Sequence, residues 1–308
     1  MSQSQTNDEN TQDTSSENNI VSQTSHVLFG CMMKESLIPL KLEVESGYEI
    51  GKGPPKLDVL IIRRSGVRWS KAQLEFLPDG IRQSNCKHVI LELKYTESIN
   101  KIAIFQTIGY LGSYLRLKNL NPEKVCAFIV SSKTPQKKVL KQIGFEQTDI
   151  KGIYRSNDCL LSHIKLISLN DLSDAPYNLW IKLFSSKINQ RLTVLKNILA
   201  LDVKKLNRGL LSILVKILKF WNTIGEITMK KIQQDILYES DGIDDDLAAW
   251  FLSLFKIEDV LKQFKTEDIL KQFKTEDVFK QFKPEDRLNG LDLKIIEEYL
   301  QKQRKMEK

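Results

Sequence analysis

The chain has 308 residues, enough for one well-filled domain with an appendage or for two modest domains. Hydrophobic residues make up 41% and charged residues 28%, an ordinary globular balance. The net charge of +7 and isoelectric point near 9.0 suit a polyanionic partner without requiring one.

Met1 to Ser25 is rich in Ser, Gln, Asn, Thr and Asp and lacks the basic start and apolar centre of a signal peptide. It reads as a disordered polar tail (residues 1–25) on a cytoplasmic protein. Thr24-Ser25 can cap a helix from about His26 to Ser36, with Val27, Leu28, Cys31 and Met32 on one stripe. Leu57 to Ile62 is a short, β-branched, mostly apolar run after Gly51, Gly53, Pro54 and Pro55, which predicts a buried strand. Pro78-Asp79-Gly80 signals a turn between two short extended pieces within Leu74–Arg82.

His88 to Lys94 predicts a second strand. From Glu97 to Lys118 the apolar period becomes helical, through Ile99, Ile102, Ile104, Phe105, Ile108, Leu111 and Leu115. Val125 to Val130 reads as a third buried strand, followed by a helix around Pro135 to Gln142 and a strand near Ile164 to Leu169. Strand, helix, strand is a crossover unit, so part of the sheet should be parallel.

From Trp180 the chain reads as helical. Between Ile181 and Phe220 it carries Lys182, Lys187, Arg191, Lys196, Lys204, Lys205, Arg208, Lys216 and Lys219 against the single acid Asp202. This face either tracks a phosphate backbone or is simply solvated. Leu210 to Trp221, the most apolar part, is interrupted by Lys216 and Lys219 and is too short to span a bilayer, so no membrane partner is expected.

Units beginning Phe255-Lys-Ile-Glu-Asp, Phe264-Lys-Thr-Glu-Asp, Phe273-Lys-Thr-Glu-Asp and Phe282-Lys-Pro-Glu-Asp then recur at a nine-residue spacing. Thr266 and Thr275 suit helix caps and Pro284 a first turn, so short helical segments are expected, ahead of a final helix from Leu291 to Gln303. Their expected role is a spacer or a surface for another protein. The acids Asp241, Asp244, Asp245 and Asp246 do not have EF-hand spacing and fit a helix cap with first-turn acids. Cys31, Cys86, Cys126 and Cys159 are widely separated with no CxxC pair; reduced thiols are expected rather than a zinc site or disulfide framework.

The chemistry concentrates in two strands. Asp58 lies in one, and Glu92 and Lys94 lie in the next, on one face because strand side chains alternate. A carboxylate and an ammonium inside an apolar strand are unfavourable unless paired or bound. Two carboxylates converging from neighbouring strands repel each other, and a divalent cation with oxygen ligands resolves this. The alternative is a structural ion pair at a strand end. His88 shares that face and reads as structural, while His26 and His163 offer nothing specific.

Asp58, then Glu92-Leu93-Lys94, then a helix carrying Gln106 and Tyr110 one turn apart, resembles the PD-(D/E)XK nuclease superfamily. Ile61-Ile62-Arg63-Arg64, the run Glu92 to Ser98 and the short tandem units are similar to the bacterial recombination-promoting nuclease and transposase-like group. The likeness covers about half the chain; Leu57 stands where the motif often has proline.

The resemblance implies a restriction-endonuclease-like mixed α/β sheet flanked by helices, with an all-helical C-terminal region. It implies Asp58 and Glu92 as ligands of magnesium (or manganese), Lys94 as the residue that assists the attacking water, and Gln106 as a support. A first-helix acid is also implied; Glu35 is the choice, with Glu45 as alternative, and Tyr110 is a further candidate that could equally be a core aromatic. The resulting expectation is a metal-dependent nuclease acting on DNA, linked to recombination or mobile elements, with a homodimer as one possible form. The competing expectation is a catalytically silent nucleic-acid-binding or protein-interaction module. The expected layout is residues 26–175 for the nuclease-like domain, 176–254 for the basic helical region and 255–308 for the repeats and terminal helix.

Overall fold

The computed structural model divides into two units, residues 1–254 and 255–308. It describes residues 9–50, 56–63, 66, 68–201, 207–228, 231 and 297, with side chains from residue 19 onward. The nine-residue units, the terminal helix apart from Glu297, the acids from Asp241 to Asp246, and Asp202, Lys204 and Lys205 lie outside the described residues.

A seven-stranded mixed sheet, flanked by helices, organises the first unit. Its order is β1 (Glu43–Glu49), β2 (Lys56–Ile62), β3 (His88–Lys94), β4 (Val125–Ser131), β7 (Ile164–Ser168), β6 (Ile153–Arg155) and β5 (Glu146–Gln147). β1, β2 and β3 pair antiparallel, whereas β3, β4 and β7 run parallel. The crossover from β3 to β4 is α3 (Lys101–Lys118), and short α4 (Lys137–Gln142) follows β4. β3 and β4 are buried along their whole length, as central parallel strands covered on both faces must be.

α3 starts at Lys101 rather than Glu97, because the Asn100 side chain caps it by accepting the Ala103 N–H at 2.9 Å. It ends at Asn119 in the left-handed conformation. Ile104, Leu111 and Tyr114 press on Leu60, Ile90, Ala127 and Ile129, which form the core on that side of the sheet.

Three expectations are corrected. The first concerns the polar tail, which is helical from Glu9: α1 runs Glu9–Leu37. Thr24-Ser25 does not start the helix, because the Ser25 hydroxyl donates to the Ser22 carbonyl and is absorbed inside it. The second concerns Leu74–Arg82, which holds no extended pieces. It follows the short helix α2 (Lys71–Leu74) in turns, with Gly80 at φ +87° packed close to Phe128. The third concerns the thiols. Cys86 and Cys126 form a disulfide across the start of β3 and β4, with Cα atoms 5.8 Å apart. Cys31 and Cys159 are free.

Beyond the sheet, α5 (Leu179–Lys182), α6 (Ile188–Leu199) and α7 (Arg208–Thr223) bear out the helical reading from Trp180 over the described part. α7 packs along α1. Among the described residues, no helix is long and apolar enough to cross a membrane.

Candidate active site

The β2–β3 pairing ends with Val59 opposite Leu91, so Asp58 and Glu92 are the next residues on the two strands. Asp58 Oδ2 accepts the Leu93 backbone N–H at 2.7 Å, which clamps its carboxylate beside β3. Glu92 and Lys94 are 5% and 7% exposed. Lys94 Nζ donates to Glu92 Oε1 at 3.2 Å and to Gln106 Oε1 at 3.1 Å. Asp58, Glu92, Lys94 and Gln106 are therefore brought together, from two strands and the following helix. Tyr110, one turn beyond Gln106 and half-buried, feels both carboxylates: burial raises its pKa first, and the charges of Glu92 and Asp58 add to this.

Glu35 is not part of this cluster. Its backbone carbonyl accepts from Asn207 Nδ2 at 3.0 Å, and its carboxylate lies against Gly209 at the start of α7. Glu45 pairs with Leu60 in β1 and acts electrostatically on Tyr114 and Lys118. The α1 residue that does reach the site is His26, whose Nδ1 lies 2.6 Å from Asp58 Oδ1. Gly30, one turn further along α1, permits this approach. A Cβ there would lie 2.6 Å from Ser46 Cβ and 3.8 Å from the Asp58 carbonyl. Burial works to lower the His26 pKa, but the hydrogen bond and charge of Asp58, with Glu92 behind it, raise it above the ordinary value.

Ser22 Oγ lies 3.4 Å from His26 Nε2, giving the order Ser22–His26–Asp58. That order resembles a nucleophile–base–orienter relay, but Ser22 sits inside α1, where the backbone N–H groups are spent on the helix. The helical N–H groups around Ser22 therefore cannot serve as oxyanion donors, and they give acyl transfer no support.

Glu92 is the most perturbed acid of the cluster. Burial first, and the Asp58 charge second, push its pKa up to about 7 against the opposing pull of Lys94 and His26. Its Oε2 is buried without a hydrogen-bond partner. Because the folded value exceeds the ordinary 4.5, the folded chain binds this proton more tightly than the unfolded chain. The contribution of Glu92 to stability is thus full below about pH 4.5, declines as pH rises toward about 7, and is flat above that. In metal-free buffer the urea midpoint should fall over that window, and Glu92→Gln should remove that part of the slope. Parallel profiles for the two proteins would contradict the assignment.

Among the described residues no group of three or more His, Cys, Asp and Glu side chains is arranged to hold a metal ion. Magnesium does not need such a cage, since it is commonly bound through one or two carboxylates and keeps several waters. Asp58 and Glu92 fit that demand: they are two oxygen donors that repel each other, and one buried oxygen of Glu92 lacks a partner.

A second network braces the strand behind the site. Tyr95, next to Lys94, donates to Glu226 Oε2 at 3.2 Å and accepts from Arg191 NH2 at 2.9 Å. Arg191 is 1% exposed, bonds the Ser185 carbonyl and Glu226, and faces the rings of Tyr95 and Trp221. Lys182 is buried too, bonded to the Leu172 carbonyl and Asp174. Arg191 and Lys182 therefore belong to neither a solvated nor a phosphate-tracking face; Lys187, Arg208, Lys216 and Lys219 are exposed. No family model, curated protein or solved structure matches this chain.

Proposed function

We propose that the chain is a metal-dependent nuclease that hydrolyses DNA phosphodiester bonds, with the restriction-endonuclease-like core of the PD-(D/E)XK superfamily. The resemblance to its recombination-promoting and transposase-like group makes mobile DNA the biological setting of this reading. One observation carries it: Asp58, Glu92, Lys94 and Gln106 converge at one end of adjacent buried strands, with a buried Glu92 oxygen left unpartnered. The unpartnered oxygen leaves room for a ligand beside the two carboxylates, which is what a bound cation requires.

Asp58 and Glu92 would hold magnesium or manganese. A divalent cation there supplies an activated water and offsets charge growing on the phosphate. Lys94 stands ready to orient that water or to meet the same charge, because Gln106 and Glu92 hold its ammonium in place. Gln106 acts through Lys94 and His26 through Asp58, so both are positioning residues.

A second reading has its own support. Lys94 already neutralises Glu92, and His26 adjoins Asp58, which is what a catalytically silent DNA-binding module would retain. Incubation of supercoiled plasmid and of single-stranded circular DNA with the intact chain separates the two. The nuclease reading expects nicked or linear product with magnesium and none with a chelator. DNA binding without product under either condition would leave the binding module.

A further inference from the structure

The outer side of α3 carries an apolar patch that the sheet does not use. α3 buries Ala103, Ile104, Thr107, Leu111 and Tyr114, yet Ile102 and Phe105 are 67% and 71% exposed. Helical spacing sets Ile102 beside both Phe105 and Gln106. The patch is thus continuous with the side chain that holds Lys94. Next to Phe105 the helix surface is bare, because a Cβ on Gly109 or Gly112 would meet nothing within 4 Å. The helix carries exposed Lys101, Arg116 and Lys118 and no Asp or Glu at all.

Scattered exposed apolar residues are normal on a protein surface. These two are adjacent, one is aromatic, and they adjoin the candidate site on an acid-free basic helix. We propose that this face of α3 is a stacking platform for an unpaired DNA strand, so that the site acts on single-stranded or flapped DNA rather than on continuous duplex. The inference rests on the nuclease reading for the cut itself, but not for the binding. A duplex hides its base faces and offers Phe105 only phosphates. An unpaired strand offers base faces to the ring and phosphates to Lys101 and Arg116, which share the Phe105 side of the helix, the pairing that single-strand binders use. A second copy of the chain fits this face less well, since pairing through it would bring two acid-free basic helices together.

The test uses the full chain, a chelator to prevent cleavage, and three fluorescent probes: a short oligothymidylate, the same backbone made abasic, and a duplex of equal length. The platform predicts that the intact chain binds the oligothymidylate about tenfold or more tighter than the abasic strand. Phe105→Ala should erase most of that preference while leaving affinity for the abasic strand unchanged. Equal affinity of the intact chain for both strands, tighter binding of duplex, or an unaltered preference in Phe105→Ala would overturn it. So would a dimer in sedimentation that Phe105→Ala dissociates, because the face would then join two copies. Base-dependent binding through Phe105 without magnesium-dependent cleavage of plasmid, single-stranded circular or flapped DNA would sink the nuclease reading and leave the platform standing; cleavage without base-dependent binding would do the reverse.

Discussion

Lys94→Ala is expected to slow magnesium-dependent phosphodiester cleavage by about 10²–10³-fold, the usual effect of removing one preorganised charge from a water-poor site. Lys94 is 7% exposed and held by Glu92 and Gln106, so its ammonium is fixed before substrate arrives. Asp58→Ala should do at least as much harm, since it removes one of the two carboxylates that would hold the cation and leaves the Leu93 N–H and His26 without their acceptor. Rates of cleavage of plasmid and of single-stranded circular DNA, compared after circular dichroism has established that each variant is folded, check both. Gln106→Ala should be milder, because Lys94 keeps its bond to Glu92. Cleavage that survives both Lys94→Ala and Asp58→Ala would mean that the chemistry lies elsewhere.

Arg191→Leu should lower stability by about 3 kcal/mol, the lower end of what breaking a buried charge network does. Three donors of Arg191 reach Ser185, Tyr95 and Glu226, and its guanidinium faces two aromatic rings. Partly exposed Glu226 can rehydrate, which is why the upper end of the range does not apply. For a unit of this size the thermal midpoint should drop by roughly 6–12 °C. Tyr95 is next to Lys94, so cleavage should weaken as well, although Arg191 touches none of the reacting groups. A midpoint shift within 2 °C or so, below what even about 1 kcal/mol produces, would show that the network contributes nothing.

The inner strands and the site differ in how far the sequence reveals them. β3 matches its expected span of His88 to Lys94, because two charged residues at alternate positions in an apolar run admit few other structures. Asp58, Glu92 and Lys94 follow from the strand period and Gln106 from the resemblance to the nuclease motif, and their convergence is local to β2, β3 and α3. β1 escapes notice since Glu-Val-Glu-Ser-Gly-Tyr-Glu is an edge strand with no sustained apolar alternation. His26 could not be picked out as a site residue: its partner Asp58 is 32 positions away, and only the close seat of Gly30 on β1 brings the two together. The Cys86–Cys126 bridge spans 40 residues and depends on the parallel register of β3 with β4. Buried Arg191 and Lys182 look like any other member of a basic helical stretch until their acceptors, the Ser185 and Leu172 carbonyls and the Glu226 and Asp174 carboxylates, are seen.

Direct titration of the metal-free chain with manganese, read by electron paramagnetic resonance, tests whether Asp58 and Glu92 hold a cation without depending on the choice of substrate. Binding at one site near neutral pH is expected, lost in Asp58→Asn and in Glu92→Gln and kept in Phe105→Ala. Manganese binding of equal strength in the intact chain and in the Asp58→Asn, Glu92→Gln double variant would contradict it.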